Sequence, residues 1–309
     1  MITIKEINYK SYGKCLELSN GIIEVVATLD IGPRIIRFSK VGGENMFFED
    51  LKDLGNQSKD AKAFEDKFGD EGVWHSYGGH RLWVAPEALP RSYYPENAPI
   101  KYENIENGVR LLPPLQTWTQ NKLEMEVILN GDSIDLNHKV FNMGAWPQKF
   151  APWCITVLDQ HGFEVIPIPD RPTGLLHNRK MSFWDYTKMN DERVYWGDKY
   201  ITLRQDPTVE RAFKFGIDSQ HGFAAYFNHG DMLVKYFDII DGAEYPDDGM
   251  CFETYTNPLI MEMESIGEFK VVEPGDFGFH HEKIRIIPDV KCPNYNDEVE
   301  IDNLIKKHV

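Results

Sequence analysis

At 309 residues the chain is long enough for two average domains or for one large β-sandwich, so length alone leaves the domain count open. Its 33 basic against 49 acidic residues give a formal charge of −16 with no basic cluster, which argues against nucleic acid and anionic membrane as partners. There is no apolar run of about 18 residues, and the charged opening "MITIKEINYKSYGKC" lacks a signal peptide's apolar stretch, so no membrane association and a cytoplasmic location are expected.

Taken in chain order, "GIIEVVATLD", "PRIIRFSKV", "NGVRLLPPL" and "KLEMEVILNGDSIDLNHKVFNM" are alternating or β-branched runs closed by turn residues. The "NGD" between two alternating runs predicts a hairpin. Further runs follow in "DKYITLRQD", "GFAAYFNHGDMLVKYFD", "MCFETYTN", "LIMEMESIG" and "HHEKIRIIP". Turn spacing predicts roughly 15 to 20 short strands. The expectation is one all-β domain over 1–309, a large antiparallel β-sandwich with few short helices. Two segments depart from it: a charged insertion at about 51–71, and a C-terminal helix at about 297–308 whose Val299, Ile301, Leu304 and Ile305 would share a face. Cys15, Cys154, Cys251 and Cys292 are far apart and form no C-x-x-C pair, which predicts free, mostly buried thiols rather than a zinc knuckle or a disulfide framework.

Aromatic residues with polar tips, Trp74, Trp83, Trp118, Trp146, Trp153, Trp184 and Trp196 with Tyr77, Tyr93, Tyr94 and Tyr186, sit largely in the segments between strands. Such rings suit a surface that must stack on C–H faces and also hydrogen-bond, as a sugar requires. "GGHRLWVAPE" at 78–87 is the densest such stretch. If Gly78 and Gly79 admit a strand, His80, Leu82 and Val84 face one way and Arg81, Trp83 and Ala85 the other. Arg81 beside Trp83 then offers a planar fork of donors next to a stacking surface, and His75 precedes it closely. The same alternation puts Glu253, Tyr255 and Asn257 on one face of "CFETYTN", and Glu262 and Glu264 with Ile260 and Ile266 on one face of "LIMEMESIG". His138 falls with Ile134, Leu136 and Val140 on the apolar face of its strand and should point inward, where a histidine is more often a hydrogen-bonded core residue than an acid. In "FHHEKI", His280 and Glu282 share a face, but two ligands make no metal site, and a solvated strand is the expectation. No G-x-G-x-x-G, P-loop or G-x-S-x-G pattern occurs.

"DLNHKVFNMG" at 135–144 resembles the N-H-x-x-F-N-L-x-G motif of the aldose 1-epimerases (galactose mutarotases) at Asn137, His138, Phe141, Asn142 and Met143. "CFETYTNP" is similar to that family's L-E-T-Q-x-x-P segment, and a "PG" turn and a final strand follow it as in the family. The family's L-H-G-G histidine has no matching motif here. The resemblance implies a galactose mutarotase-like sandwich that binds a small-molecule sugar or sugar derivative and needs no cofactor or metal. It further implies Glu253 as general base and His138 as general acid in opening the hemiacetal. The residue pattern itself, through strand parity and closeness in sequence, gives Arg81, His80, Trp83, His75, Tyr255, Asn257 and Glu264 as the expected substrate-binding residues, with Glu264 the second choice for the base. A non-catalytic sugar sensor on the same fold, or a glycoside hydrolase or lyase pairing Glu253 with Glu264, are the alternatives.

Overall fold

The computed structural model describes residues 2–54 and 73–309, so most of the insertion expected at 51–71 lies outside the described residues. The chain begins with a meander of β1 (Thr3–Asn8), β2 (Lys14–Ser19), β3 (Ile23–Thr28) and β4 (Ile35–Lys40), which leads to β5 (His80–Ala85). A second meander follows in β6 (Lys101–Ile105), β7 (Gly108–Leu112), β8 (Asn121–Asn130) and β9 (Ser133–Asn142). The turn between β8 and β9 is the hairpin that "NGD" predicts, with Gly131 at φ +60°.

Thereafter the chain alternates between two sheets. The first receives β10 (Gln148–Leu158), β12 (Met181–Phe183), β15 (Phe213–Ile217), β18 (Phe252–Thr256), β19 (Met261–Ile266) and β20 (Lys270–Val272). The second receives β11 (Phe163–Pro167), β13 (Val194–Trp196), β14 (Tyr200–Arg204), β16 (Phe223–Asn228), β17 (Asp231–Phe237) and β21 (Phe277–Ile287). The first sheet runs β1-β2-β3-β4-β5-β10-β19-β18-β15-β12, with β20 paired to β10 off this path. The second runs β13-β14-β11-β16-β17-β21-β9-β8-β7-β6, and every pairing in both is antiparallel. This is the expected large antiparallel β-sandwich.

Alternation along the strands builds the core. Leu82 and Val84 of β5, Phe213 and Phe215 of β15, and Met261 and Met263 of β19 meet Leu123 and Val127 of β8 and Leu136 and Val140 of β9 in one buried cluster between the sheets. Phe237 and Phe252, one from each sheet, stack with ring centroids 5.1 Å apart. Each such ring or Leu side chain contributes about 1.5–3 kcal/mol when fully buried. Helix α1 (Glu298–His308) closes the end of the chain, capped by Asp297, which accepts from the amides of Val299 and Glu300. Ile301 and Ile305 are buried and Leu304 packs beside them, but Val299 is exposed. It precedes Ile301 by two residues, about 200° around the helix, so the expected four-residue face holds only three.

The Gly78–Gly79 pair has a steric reason. Both have positive φ, +79° and +67°, and a Cβ would lie 2.2 Å from the Phe48 carbonyl oxygen at the first and 2.3 Å from that of Ile35 at the second. Only glycine allows this close backbone approach in a left-handed conformation, and it sets the parity with which β5 enters the sheet.

Candidate functional site

Five adjacent strands of the first sheet, in the order β5-β10-β19-β18-β15, turn one face to the core and the other outward. Cross-strand register places Arg81, Ile155, Glu264 and Glu253 in one outward row, and Glu262, Tyr255 and Lys214 in the next. Trp83 opposite Trp153 forms a third row. Loop residues wall this floor: Trp74, Ser76, Glu87 and Tyr93 on one side, Trp184, Tyr186 and Asp247 on the other. The result is a groove in two adjoining lobes of about 330 and 350 Å³ that share Glu87, Tyr93, Trp153 and Trp184, a size suited to a small molecule.

Charge on the floor is paired but not exhausted. Lys214 Nζ lies 2.8 Å from Glu253 Oε2 and 2.9 Å from Glu264 Oε2, and 4.6 and 4.9 Å from the ring centroids of Trp184 and Trp153. Arg81 Nη2 donates to Glu262 Oε1 at 3.0 Å, while its guanidinium stacks 4.5 Å from Trp83. Left without hydrogen-bond partners among the described residues are Arg81 Nε and Nη1, Trp74 Nε1, Trp153 Nε1, Glu253 Oε1 and Glu264 Oε1. Buried polar atoms are nearly always bonded, so four donors and two acceptors without partners in one aromatic groove make it the candidate ligand surface.

Burial raises the carboxyl pKa of Glu253 and Glu264 well above the ordinary range; Lys214 opposes this, and for Glu253 the charge of Glu264 adds to it. For Lys214, burial disfavours the ammonium, but the two carboxylates outweigh it and hold the lysine charged. The pair titrates as a unit and retains a proton toward neutral pH, so it presents an acid and a base side by side.

The groove therefore contains Arg81, Trp83, Glu253, Tyr255, Asn257 and Glu264 from the sequence expectation. Asn257 Oδ1 is already committed to the amides of Leu259 and Ile260, where it closes the β18–β19 turn. His75 stands apart from the lining, bonded through Nδ1 to Asp53 and packed on Tyr77. Sequence reasoning missed Lys214 and Asp247, and gave Glu87 at the end of "GGHRLWVAPE" no role. In "AFKFGID" the lysine alternates with two core phenylalanines, a pattern that an ordinary solvent-facing strand shares.

His138 and His80 are corrections to the expected site. Both are fully buried between the sheets, on the core side of β9 and β5, while Glu253 faces the opposite side of the first sheet. The structure therefore does not bring His138 and Glu253 to one cavity. The physical reason is a hydrogen-bond network that consumes the histidines. His138 Nδ1 bonds the His280 carbonyl at 3.3 Å, His138 Nε2 meets His80 Nε2 at 2.9 Å, and His80 Nδ1 meets Thr156 Oγ1 at 2.9 Å. Thr156 Oγ1 also accepts from Lys235 Nζ at 3.0 Å. One direction of donation satisfies the whole chain: lysine to threonine, threonine to His80, His80 to His138, His138 to the carbonyl. Burial, together with neighbouring positive charge, lowers the pKa of both rings and keeps them neutral.

The same layer overturns the expectation of a solvated "FHHEKI" strand, because His280 and Glu282 are buried. Glu282 Oε1 takes the Lys235 ammonium at 2.7 Å, and Ser265 bonds both His280 and Glu282. Among the described residues, His80, His138 and Glu282 form the one group that brings three metal-ligating atoms within 4.8 Å of one another. The donation chain uses both histidine Nε2 atoms, and the lysine ammonium already neutralises the carboxylate, so these residues do not fit a cation.

No protein-family model matches the chain, and no curated protein matches it in sequence. Solved structures do. An aldose 1-epimerase candidate from Klebsiella pneumoniae subsp. pneumoniae superimposes with a TM-score of 0.61 at 13% identity, covering 99% of this chain and 87% of its own. A galactose mutarotase-like protein from Clostridium acetobutylicum gives 0.54 at 12% identity over 93% and 99% of the two chains. One from Lactobacillus casei gives 0.52 at 8% identity over 88% and 99%. At this identity the likeness establishes the fold: the chain has the galactose mutarotase-like sandwich. Among the described residues no helix is long and apolar enough to cross a membrane.

Proposed function

We propose that the protein binds an aldose in the groove and interconverts its anomers, with the Glu253–Lys214–Glu264 cluster moving the protons. The observation that carries this reading is a pair of neighbouring carboxyl groups held on one ammonium at 2.8 and 2.9 Å, each with a free oxygen, on the floor of a tryptophan-lined groove.

Ring opening needs a base for the anomeric hydroxyl and an acid for the ring oxygen, and these two oxygens are bonded to the same carbon. Side-by-side carboxyl groups sharing one proton suit that geometry. One carboxyl of the pair, as carboxylate, takes the hydroxyl proton, the other, as carboxylic acid, gives its proton to the ring oxygen, and the carbon–ring-oxygen bond breaks to leave the open aldehyde. Rotation followed by closure on the other face runs both transfers backward and restores the starting protonation state. Arg81 and the indole N–H groups of Trp74 and Trp153 orient sugar hydroxyls, and the rings of Trp83 and Trp153 take its C–H faces.

A hydrolase or lyase pairing the same carboxylates fits less well. Its acid and its nucleophile or base flank the scissile bond from two sides, whereas Glu253 and Glu264 are cross-strand neighbours on one floor. The test is anomer exchange followed by NMR over a broad aldose panel. Exchange is expected for at least one aldose, and Glu253→Gln should slow it about 100-fold or more with binding retained. An aldose that binds wild-type protein without exchanging would instead make this a sensor, and a new reducing end or an unsaturated product would make it a bond-cleaving enzyme.

A further inference from the structure

We infer that the aldose taken by this groove is an amino sugar, its protonated amine seated among Glu87, Asp247 and Glu253. This rests on reading the groove as an aldose site, and it narrows the substrate class.

The lining carries five acidic residues, Glu87, Asp247, Glu253, Glu262 and Glu264, against two cations, Arg81 and Lys214. Both cations are already engaged, Arg81 by Glu262 and Lys214 by Glu253 and Glu264. Glu87 and Asp247 have no ion-pair partner among the described residues; the phenol of Tyr93 donates to Glu87. Beside them Glu253 is 1% exposed, and its Oε1 has no hydrogen-bond partner. Glu87 is exposed and Asp247 half-buried, with Glu253 buried beside them, so the lobe carries an acidic surplus that lacks one positive charge, and what meets it must fit between the rings of Tyr93, Trp153 and Trp184 that wall the same lobe.

Three kinds of occupant differ in how they meet this lobe. A phosphate or carboxylate on the sugar would add negative charge to a lining of five acidic side chains against two cations, each already ion-paired, so phosphosugars and uronic acids are disfavoured even though Arg81 keeps free donors. A bare metal ion needs its ligand oxygens to converge, yet Glu87, Asp247 and Glu253 are not among the groups whose ligand atoms lie within 4.8 Å of one another. An ammonium on a sugar ring suits spaced carboxylates, because its three N–H donors point to separate acceptors while the ring C–H faces and the positive charge both favour indole and phenol walls. The formal charge of −16 on the whole chain also steers a cationic substrate toward the protein.

The experiment uses the full chain and aldoses that bear a free amine at C2, C3 or C6. Each is compared with its parent aldose, its N-acetyl derivative and an aldose phosphate, below and above the amine's own pKa, by calorimetric titration and by NMR anomer exchange. At least one charged amino aldose should bind about 10-fold or more tightly than its parent and its N-acetyl form, as charge-assisted hydrogen bonds would give. That advantage should vanish above the amine's pKa, and Glu87→Gln with Asp247→Asn should collapse the amine-to-parent ratio. The ligand comparison on wild-type protein stands whether or not the double variant folds. Equal or weaker binding of every amino aldose relative to its parent overturns the inference while leaving the aldose reading intact. Tight, amine-dependent binding without anomer exchange supports the inference and overturns the catalytic reading. A preference undiminished in a folded double variant overturns the seat among Glu87, Asp247 and Glu253.

Discussion

Lys214 offers the sharpest test of the proposed proton-transfer site, because its removal changes the two carboxyl groups without touching either. At an effective dielectric of about 20, an ammonium at 2.8–2.9 Å attracts each carboxylate by about 6 kcal/mol before desolvation is counted. Removing one partner of such a buried pair typically costs about 3–5 kcal/mol net. Lys214→Met keeps the stem that packs beside Trp153 and Trp184 and deletes only the charge. Glu253 and Glu264 then face each other uncompensated, and burial raises their pKa further. If about 3 kcal/mol of the loss falls on the basic carboxylate, its pKa rises by about two units. Below that pKa the ionised fraction falls about 100-fold, and so should the anomer-exchange rate. Exchange measured by NMR across pH should therefore show the acidic limb of kcat/KM displaced upward by about two units in Lys214→Met, with activity returning as pH rises. Lys214→Arg, which keeps the charge, should leave the limb close to wild type. Activity lost at every pH from a folded Lys214→Met protein, with no displaced limb, would make Lys214 a mere brace and refute the reasoning.

Other perturbations separate the groove from the interior. Arg81→Lys keeps a charge for Glu262 but loses the planar fork with its free Nε and Nη1, so KM should rise about 10- to 100-fold with kcat little changed; an unfolded variant would instead make Arg81 a structural corner. His138→Asn leaves the His80 Nε2 donor without its acceptor and should cost about 1–3 kcal/mol in denaturant unfolding. Exchange per folded molecule should stay within about threefold, since nothing in the groove changes; a loss of about 100-fold would restore His138 as the acid. Glu164 is fully buried, hydrogen-bonded to Thr254, and its pKa is pushed up to about 8 by burial. Between the unfolded-chain value and about 8 the native state holds a proton that the unfolded chain has lost, so this group's contribution to stability is full at acid pH and declines as pH rises. Glu164→Gln should remove a slope of up to about 1.4 kcal/mol per pH unit, and an unchanged pH profile of stability would contradict its buried, protonated state.

Much of the fold was legible because a sandwich is written in alternation and turns. The "NGD" hairpin, the strand entered through Gly78 and Gly79, and the opposite facing of His80 and Arg81 all follow from a period of two. Parity also put Glu253 with Tyr255, and Glu262 with Glu264, on common faces, and the structure brings those faces together as one floor. What parity cannot state is which sheet a strand joins, since that is decided by contacts made far along the chain. Lys214 illustrates the loss: its strand reads as half solvated, and only the pairing of β15 with β18 puts its ammonium on two glutamates. Val299 shows the same limit on a helix, where an apolar residue off the buried face carries no signal of its exposure.

At His138 a short local motif and strand alternation point different ways. Its residues matched a catalytic pattern, yet its strand also placed the histidine with Ile134, Leu136 and Val140, and in the structure that apolar company wins. A histidine can sit there because a second polar set, Thr156, Ser265, Lys235 and Glu282, lies between the sheets and bonds its neighbours. The first sheet thus carries polar chemistry on both faces, and satisfaction of hydrogen bonds distinguishes them. Toward the core, histidines, serine and threonine pass donors to acceptors in closed chains, leaving one oxygen of Glu282 and one of Glu164 without a partner. Toward the groove, arginine, two indoles and two carboxyl groups hold unused donors and acceptors against tryptophan rings. Unmet hydrogen-bonding capacity is costly in a folded protein, and it is sustained where a ligand completes it. Glu253 and Arg81 belong on that side of the sheet, and His138 does not.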